Sequence, residues 1–99
     1  MANPTLEYRL LSDSEISDIL SDLPGWSNEE GKLVKIFPFK TYKDGLVFGV
    51  AVGYLADKME HHPDLEIGYA KVKVAMNTHD VGGISPYDIE LVRQIEALP

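Results

Sequence analysis

The chain has 99 residues, a length that suits one domain spanning 1–99, and 44% of them are hydrophobic, enough for one modest core. Nine basic side chains against sixteen acidic ones leave a net charge of -7, which argues against direct nucleic-acid binding or attachment to an anionic membrane. There is no cysteine, so disulfides and thiolate metal sites are excluded.

Residues 1–11 lack the basic start and apolar run of a secretory leader and read as an irregular lead-in. The longest apolar stretch, Leu46 to Ala56, is too short to span a bilayer, so a cytoplasmic protein is expected. Ser12-Asp13-Ser14-Glu15 forms a capping box, in which a hydroxyl and a carboxylate satisfy free backbone N–H groups. Ile16, Ile19, Leu20 and Leu23 follow at helical spacing, which predicts a helix over about 13–22, stopped by Pro24-Gly25. Trp26 opens a short strand, Ser27 to Gly31 carries turn chemistry, and Lys32–Phe39 is rich in β-formers, so a hairpin is expected.

A second helix is predicted over about 41–60. Val47, Val50, Ala51 and Tyr54 make one apolar stripe, and Phe48, Val52, Leu55 and Met59 another. Two stripes predict cover on two sides, by the sheet and by another helix or subunit. Gly45, Gly49 and Gly53 recur every four residues, which suggests close approach of another backbone. Leu65, Ile67 and Tyr69, then Val72, Val74 and Met76, alternate with other residues as two half-buried strands joined near Ala70. Ser85-Pro86-Tyr87-Asp88 is a second capping box, starting a helix to about Leu98 with Leu91, Val92, Ile95 and Leu98 inward. The expected fold is α+β: a four-stranded antiparallel sheet with helices packed on one face, in the order α-β-β-α-β-β-α.

All three histidines fall in two short pieces, Glu60-His61-His62-Pro63 and Asn77-Thr78-His79-Asp80. The first ends a helix, where the dipole favours a protonated imidazole; Asp57, Glu60, Asp64 and Asp80 act in the same direction if near in space. Imidazoles held near neutrality are suited to general acid and base work. The bland reading of each histidine is a surface or capping residue. A metal site is the second chemical reading, but adjacent histidines on one helix turn seldom converge on one ion, and spacing by four residues serves better. Ser85 has a simpler job as a cap than as a nucleophile. Asp64 and Asp80 are a further candidate carboxylate pair whose separation the sequence leaves open.

Phe37-Pro38-Phe39, Ala56-Asp57, His61-His62-Pro63, Tyr69, Val72, Val74, Thr78-His79-Asp80, Gly82-Gly83-Ile84-Ser85 and Asp88 together resemble the pterin-4a-carbinolamine dehydratases, also called dimerization cofactor of a homeodomain transcription factor. The resemblance covers about 26–98. It implies a homodimer or a tetramer of dimers. It also implies a pterin pocket lined by His61, His62 and His79, with Glu60, Pro63, Asn77, Thr78 and Asp80 among the substrate-contacting residues. Asn77 stands where serine or threonine is usual in the family. The implied reaction is dehydration of a 4a-hydroxytetrahydropterin, with the pterin as substrate and no metal or other cofactor. It serves recycling of the pterin cofactor of aromatic amino-acid hydroxylases. The family's coactivator role implies an alternative, a dimeric module that docks a partner helix through the second helix.

Overall fold

The computed structural model describes residues 6–99. Among them are three α-helices, α1 (Asp13–Leu20), α2 (Tyr42–Met59) and α3 (Pro86–Glu96), four strands, β1 (Ser27–Glu29), β2 (Lys32–Pro38), β3 (Asp64–Ile67) and β4 (Lys71–Met76), and a 3-10 turn at His79–Val81. The strands form one antiparallel sheet in the order β1-β2-β4-β3. Register sets Leu33 opposite Met76 and Phe37 opposite Val72, so inward side chains of the two central strands share one face. Leu33, Val72, Val74 and Met76 are sealed there beneath Val52 and Ala56 of α2 and Ile89, Val92 and Ile95 of α3. This is the α+β architecture and element order that the sequence predicts.

The differences at element boundaries have identifiable causes. Helix α1 ends two residues early, because Asp22 and Leu23 donate to the Ile19 and Leu20 carbonyls in a tighter final turn. Residues 27–29 are strand rather than turn. The reversal needs only Glu30 and Gly31, both with positive φ, the geometry of a two-residue hairpin. Helix α3 stops at Glu96, whose carboxylate accepts from Trp26 Nε1 at 2.9 Å and Lys35 Nζ at 2.8 Å, tying the helix end to the sheet.

Helix α2 matches its predicted bounds closely, with Thr41 as N-cap and Glu60 as C-cap. Its Phe48–Met59 stripe packs inward; Val47, Val50 and Tyr54 are exposed. Within the described residues, therefore, the stripe of Val47, Val50 and Tyr54 is uncovered, with Ala51 half-buried beside it. The glycines do not meet a neighbouring backbone either. A Cβ at Gly49 would press on Ile67 at 3.1 Å, one at Gly45 would touch Val72 and Phe39, and one at Gly53 would meet nothing within 4 Å. Two of the three make room for sheet side chains.

Candidate active site

The ends of three elements meet at one side of the sheet, joined by hydrogen bonds to Asp88: the C-terminus of α2, the exit of β4 and the N-terminus of α3. Helix α2 ends because Glu60 adopts a left-handed conformation (φ 54°), and the His61 N–H turns back to the Ala56 carbonyl at 3.0 Å. After that turn the two histidines part. His61 goes inward, its side chain 10% exposed; His62 stays outside at 63%.

His61 Nε2 lies 2.6 Å from Asp88 Oδ1. Asp88 is fully buried, and its Oδ2 accepts from Thr78 Oγ1 at 2.7 Å and from the Ser85 backbone N–H at 2.9 Å. Because Thr78 gives its hydroxyl hydrogen to Asp88, the 2.6 Å contact between Ser85 Oγ and Thr78 Oγ1 has Ser85 as donor, and Ser85 in turn accepts from the Tyr87 N–H at 3.2 Å. The donors run one way, toward the carboxylate. With Asp88 as acceptor, a neutral His61 carries its hydrogen on Nε2 and keeps a lone pair on Nδ1. Among the described residues no buried side-chain polar atom lacks a partner.

His62 Nε2 meets Asp57 Oδ1 at 2.9 Å, one turn back on α2 and in solvent. His79 opens the 3-10 turn after β4 and is exposed; that turn closes at Gly82 (φ 76°), and Thr78 pairs with Gly83 across it. Tyr8, Glu60, His61, His62, Asn77, Thr78, His79 and Asp80 line one cavity of about 190 Å³. The structure thus brings together seven of the eight residues singled out from the sequence. Pro63 is half-buried beside the cavity and does not line it. Asp64 is elsewhere, on the open face of the sheet 4.0 Å from Lys32, so it forms no carboxylate pair with Asp80 in the cavity.

Sequence reasoning missed two contributions. Asp88 reads as a helix cap, which it is, but its second oxygen also holds His61; its place in the family pattern was the available signal. Tyr8 lies in the lead-in, where no periodicity marks it. Among the described residues no three His, Cys, Asp or Glu side chains cluster as a metal-ligand set, and no helix is long and apolar enough to cross a membrane.

One cavity at the rim of the α+β sheet thus joins three histidines, one of them hydrogen-bonded to a buried carboxylate. The chain belongs to the pterin 4 alpha carbinolamine dehydratase family, whose profile matches residues 9–98. It is 37% identical over 89 residues to a protein of Roseiflexus castenholzii, covering 90% of this chain and 96% of that one, and 41% identical over 88 residues to one of Sulfurisphaera tokodaii, covering 89% and 95%; both are provisionally named pterin-4-alpha-carbinolamine dehydratase. A transcriptional coactivator/pterin dehydratase from Brucella melitensis superposes with a TM-score of 0.84 at 29% identity, over 88% of this chain and 95% of that one. A pterin dehydratase-like protein identified as a RuBisCO assembly factor in the alpha-carboxysome shares the fold, with a TM-score of 0.59 at 19% identity, over 73% of this chain and 83% of that one.

Proposed function

We propose that this protein is a hydro-lyase that dehydrates a 4a-hydroxytetrahydropterin to the quinonoid dihydropterin, with His61 and His79 transferring protons and His62 orienting the ring. The observation that carries this reading is the buried Asp88, which fixes the His61 ring and leaves Nδ1 as an acceptor. Water leaves as the C4a–O bond breaks and a C4a–N5 double bond forms. Hydroxide is a poor leaving group, so an acid must protonate it, and a base must take the N5 proton. His61 is the base, its positive charge offset by Asp88 once the proton arrives, as in other histidine–aspartate pairs. Exposed His79, which lines the same cavity, is the acid. Glu60, Asn77, Thr78 and Asp80 shape the edge that meets the pterin, and Pro63 stiffens the turn that carries the two histidines. The reaction has no net redox change, and two imidazoles meet its proton requirements.

Proton transfer of this kind typically contributes about 10²–10⁴-fold. Stopped-flow dehydration of freshly generated 4a-hydroxytetrahydropterin tests the proposal. Wild-type acceleration that is mostly lost in both His61→Ala and His79→Ala is the expected result; near wild-type turnover in both variants would overturn the assignment. The cellular role that fits is recycling of a tetrahydropterin cofactor in the cytoplasm.

One observation favours a second, compatible role. Val47, Val50 and Tyr54 are exposed along α2, beside an apolar groove of about 500 Å³ lined in part by Phe39, Phe48 and Leu98. A second copy of the chain covering this stripe makes the protein a homo-oligomer; left open, the stripe is a docking face for a partner helix. Light scattering of the purified protein separates the two: an assembled species that Val50→Glu splits marks the stripe as a contact between copies, and a monomer leaves it available for a partner.

A further inference from the structure

We infer that Tyr8 is a substrate-contacting residue, the outer aromatic wall of the cavity, and that residues 6–11 form a strap that holds it there. The inference rests on the dehydratase reading for its substrate, a flat heterocycle. Tyr8 lies one residue before the stretch that the family profile matches.

The strap has no helix or strand of its own, yet it is tied at several points. Leu11 is buried and donates its N–H to the Ile84 carbonyl at 2.8 Å. Leu10 lies close over Gly83: a Cβ there would come within 2.7 Å of Leu10 Cδ1, so the glycine leaves room for the crossing. Arg9 pairs with Glu7 at 2.8 Å and with Glu15 at 3.1 Å, which joins the strap to the capping box of α1. The guanidinium and the Ser12 N–H hold the Glu15 carboxyl down at about 2.

These ties set Tyr8 against the site. Its ring stacks on Tyr87 with centroids 4.5 Å apart and planes 22° apart, and Tyr87 tilts against His61 at 6.0 Å. Tyr8 remains 60% exposed while it lines the same cavity as the three histidines. One ring face is thus covered by Tyr87, while the rest of the side chain lies open beside the proton-transfer residues. The cavity of about 190 Å³ is smaller than the roughly 300–1,000 Å³ of typical ligand clefts, so a wall residue controls much of the available contact. A flat π-surface is what an aromatic side chain recognises best, in offset or edge geometry.

The contact should appear in substrate affinity and leave the chemical step alone. Tyr8→Ala is expected to raise KM roughly five- to tenfold, and to weaken binding of oxidised pterin by the same factor in a fluorescence-quenching titration, with kcat within about twofold. Tyr8→Phe should restore both constants, since the ring and not the hydroxyl makes the contact. In the unmodified protein, oxidised pterin should shift the Tyr8 ring resonances, a reading that needs no variant to fold. Wild-type KM and pterin affinity in Tyr8→Ala would overturn the inference while leaving the dehydratase reading intact. So would a Tyr8→Phe variant as impaired as Tyr8→Ala. A wild type that neither dehydrates the carbinolamine nor binds pterin would remove the functional reading, and this inference with it.

Discussion

Two histidine–aspartate pairs stand next to each other in this protein, and only one is built into it. His61–Asp88 and His62–Asp57 have similar contact distances, 2.6 Å and 2.9 Å, from adjacent residues of the chain. The first spans 27 positions in sequence and is buried, with Asp88 accepting two more hydrogen bonds. The second spans five positions and is exposed, with Asp57 77% open to solvent. Distance alone does not rank the pairs. In solvent, water replaces either partner at little cost, and an exposed ion pair contributes about 0–1 kcal/mol. In the interior nothing replaces a missing partner, so the same contact fixes a tautomer and joins three elements of the fold.

Asp88→Asn is the strongest way to break the contrast. It keeps size but cannot accept from every donor now aimed at the carboxylate, and it reverses the hydrogen bond that orients His61. By analogy with a triad aspartate, turnover should fall by about 10²–10⁴-fold. Stability should fall as well, by about 1–3 kcal/mol for buried polar groups left unsatisfied. Stopped-flow dehydration and urea denaturation read the two effects separately. If both stay within error of wild type, burial is not what distinguishes the pairs.

Asp57→Ala is the matching change outside. It should cost at most about 1 kcal/mol in urea denaturation and alter turnover only a few-fold, because His62 keeps its place on the cavity rim. An effect as large as that of Asp88→Asn would erase the distinction.

The smallest effect concerns a third, surface pair, Arg9–Glu15. Arg9 first, then the Ser12 N–H, hold the Glu15 carboxyl down at about 2 from its ordinary 4.5. A depressed folded value means that the stabilisation is fully present above the unfolded value and is lost as pH falls from about 4.5 toward 2. Acid unfolding of wild type should therefore be slightly steeper over that window than that of Glu15→Gln. Superimposable curves would show that this exposed pair adds nothing.

The sequence made the frame legible wherever the determinants were local. Ser12 and Ser85 announce their helices through hydroxyls that act within three residues, and Thr41 caps α2 in the same way. Alternation at Val72, Val74 and Met76 reveals which face of β4 is inside. What escaped was decided by contacts distant in sequence. Ser27-Asn28-Glu29 has turn composition and is strand because β2 pairs with it. Gly45 and Gly49 show a spacing but not a neighbour; only the fold places Val72 and Ile67 against them. Seven cavity-lining residues were visible because they fall in two short polar pieces that also carry the family pattern. The second oxygen of Asp88 was not, since a cap and a cap that also grips a histidine look the same in one dimension. Tyr8 becomes part of the cavity only because Leu11 and Leu10 carry the lead-in across residues 83–84.

The left-handed turn at Glu60 has a consequence for how such a chain can change over generations. By sending one neighbour into the interior and leaving the other outside, a single backbone reversal gives adjacent codons very different freedom. Position 61 is tied to a buried network, so a replacement there leaves hydrogen-bonding groups of Asp88 and its partners unmatched. Position 62 faces solvent at the mouth of the cavity, where replacements cost the fold little stability and each one alters the cavity rim. Substitutions can therefore be sampled one residue away from the buried pair, without first destabilising the scaffold that carries it.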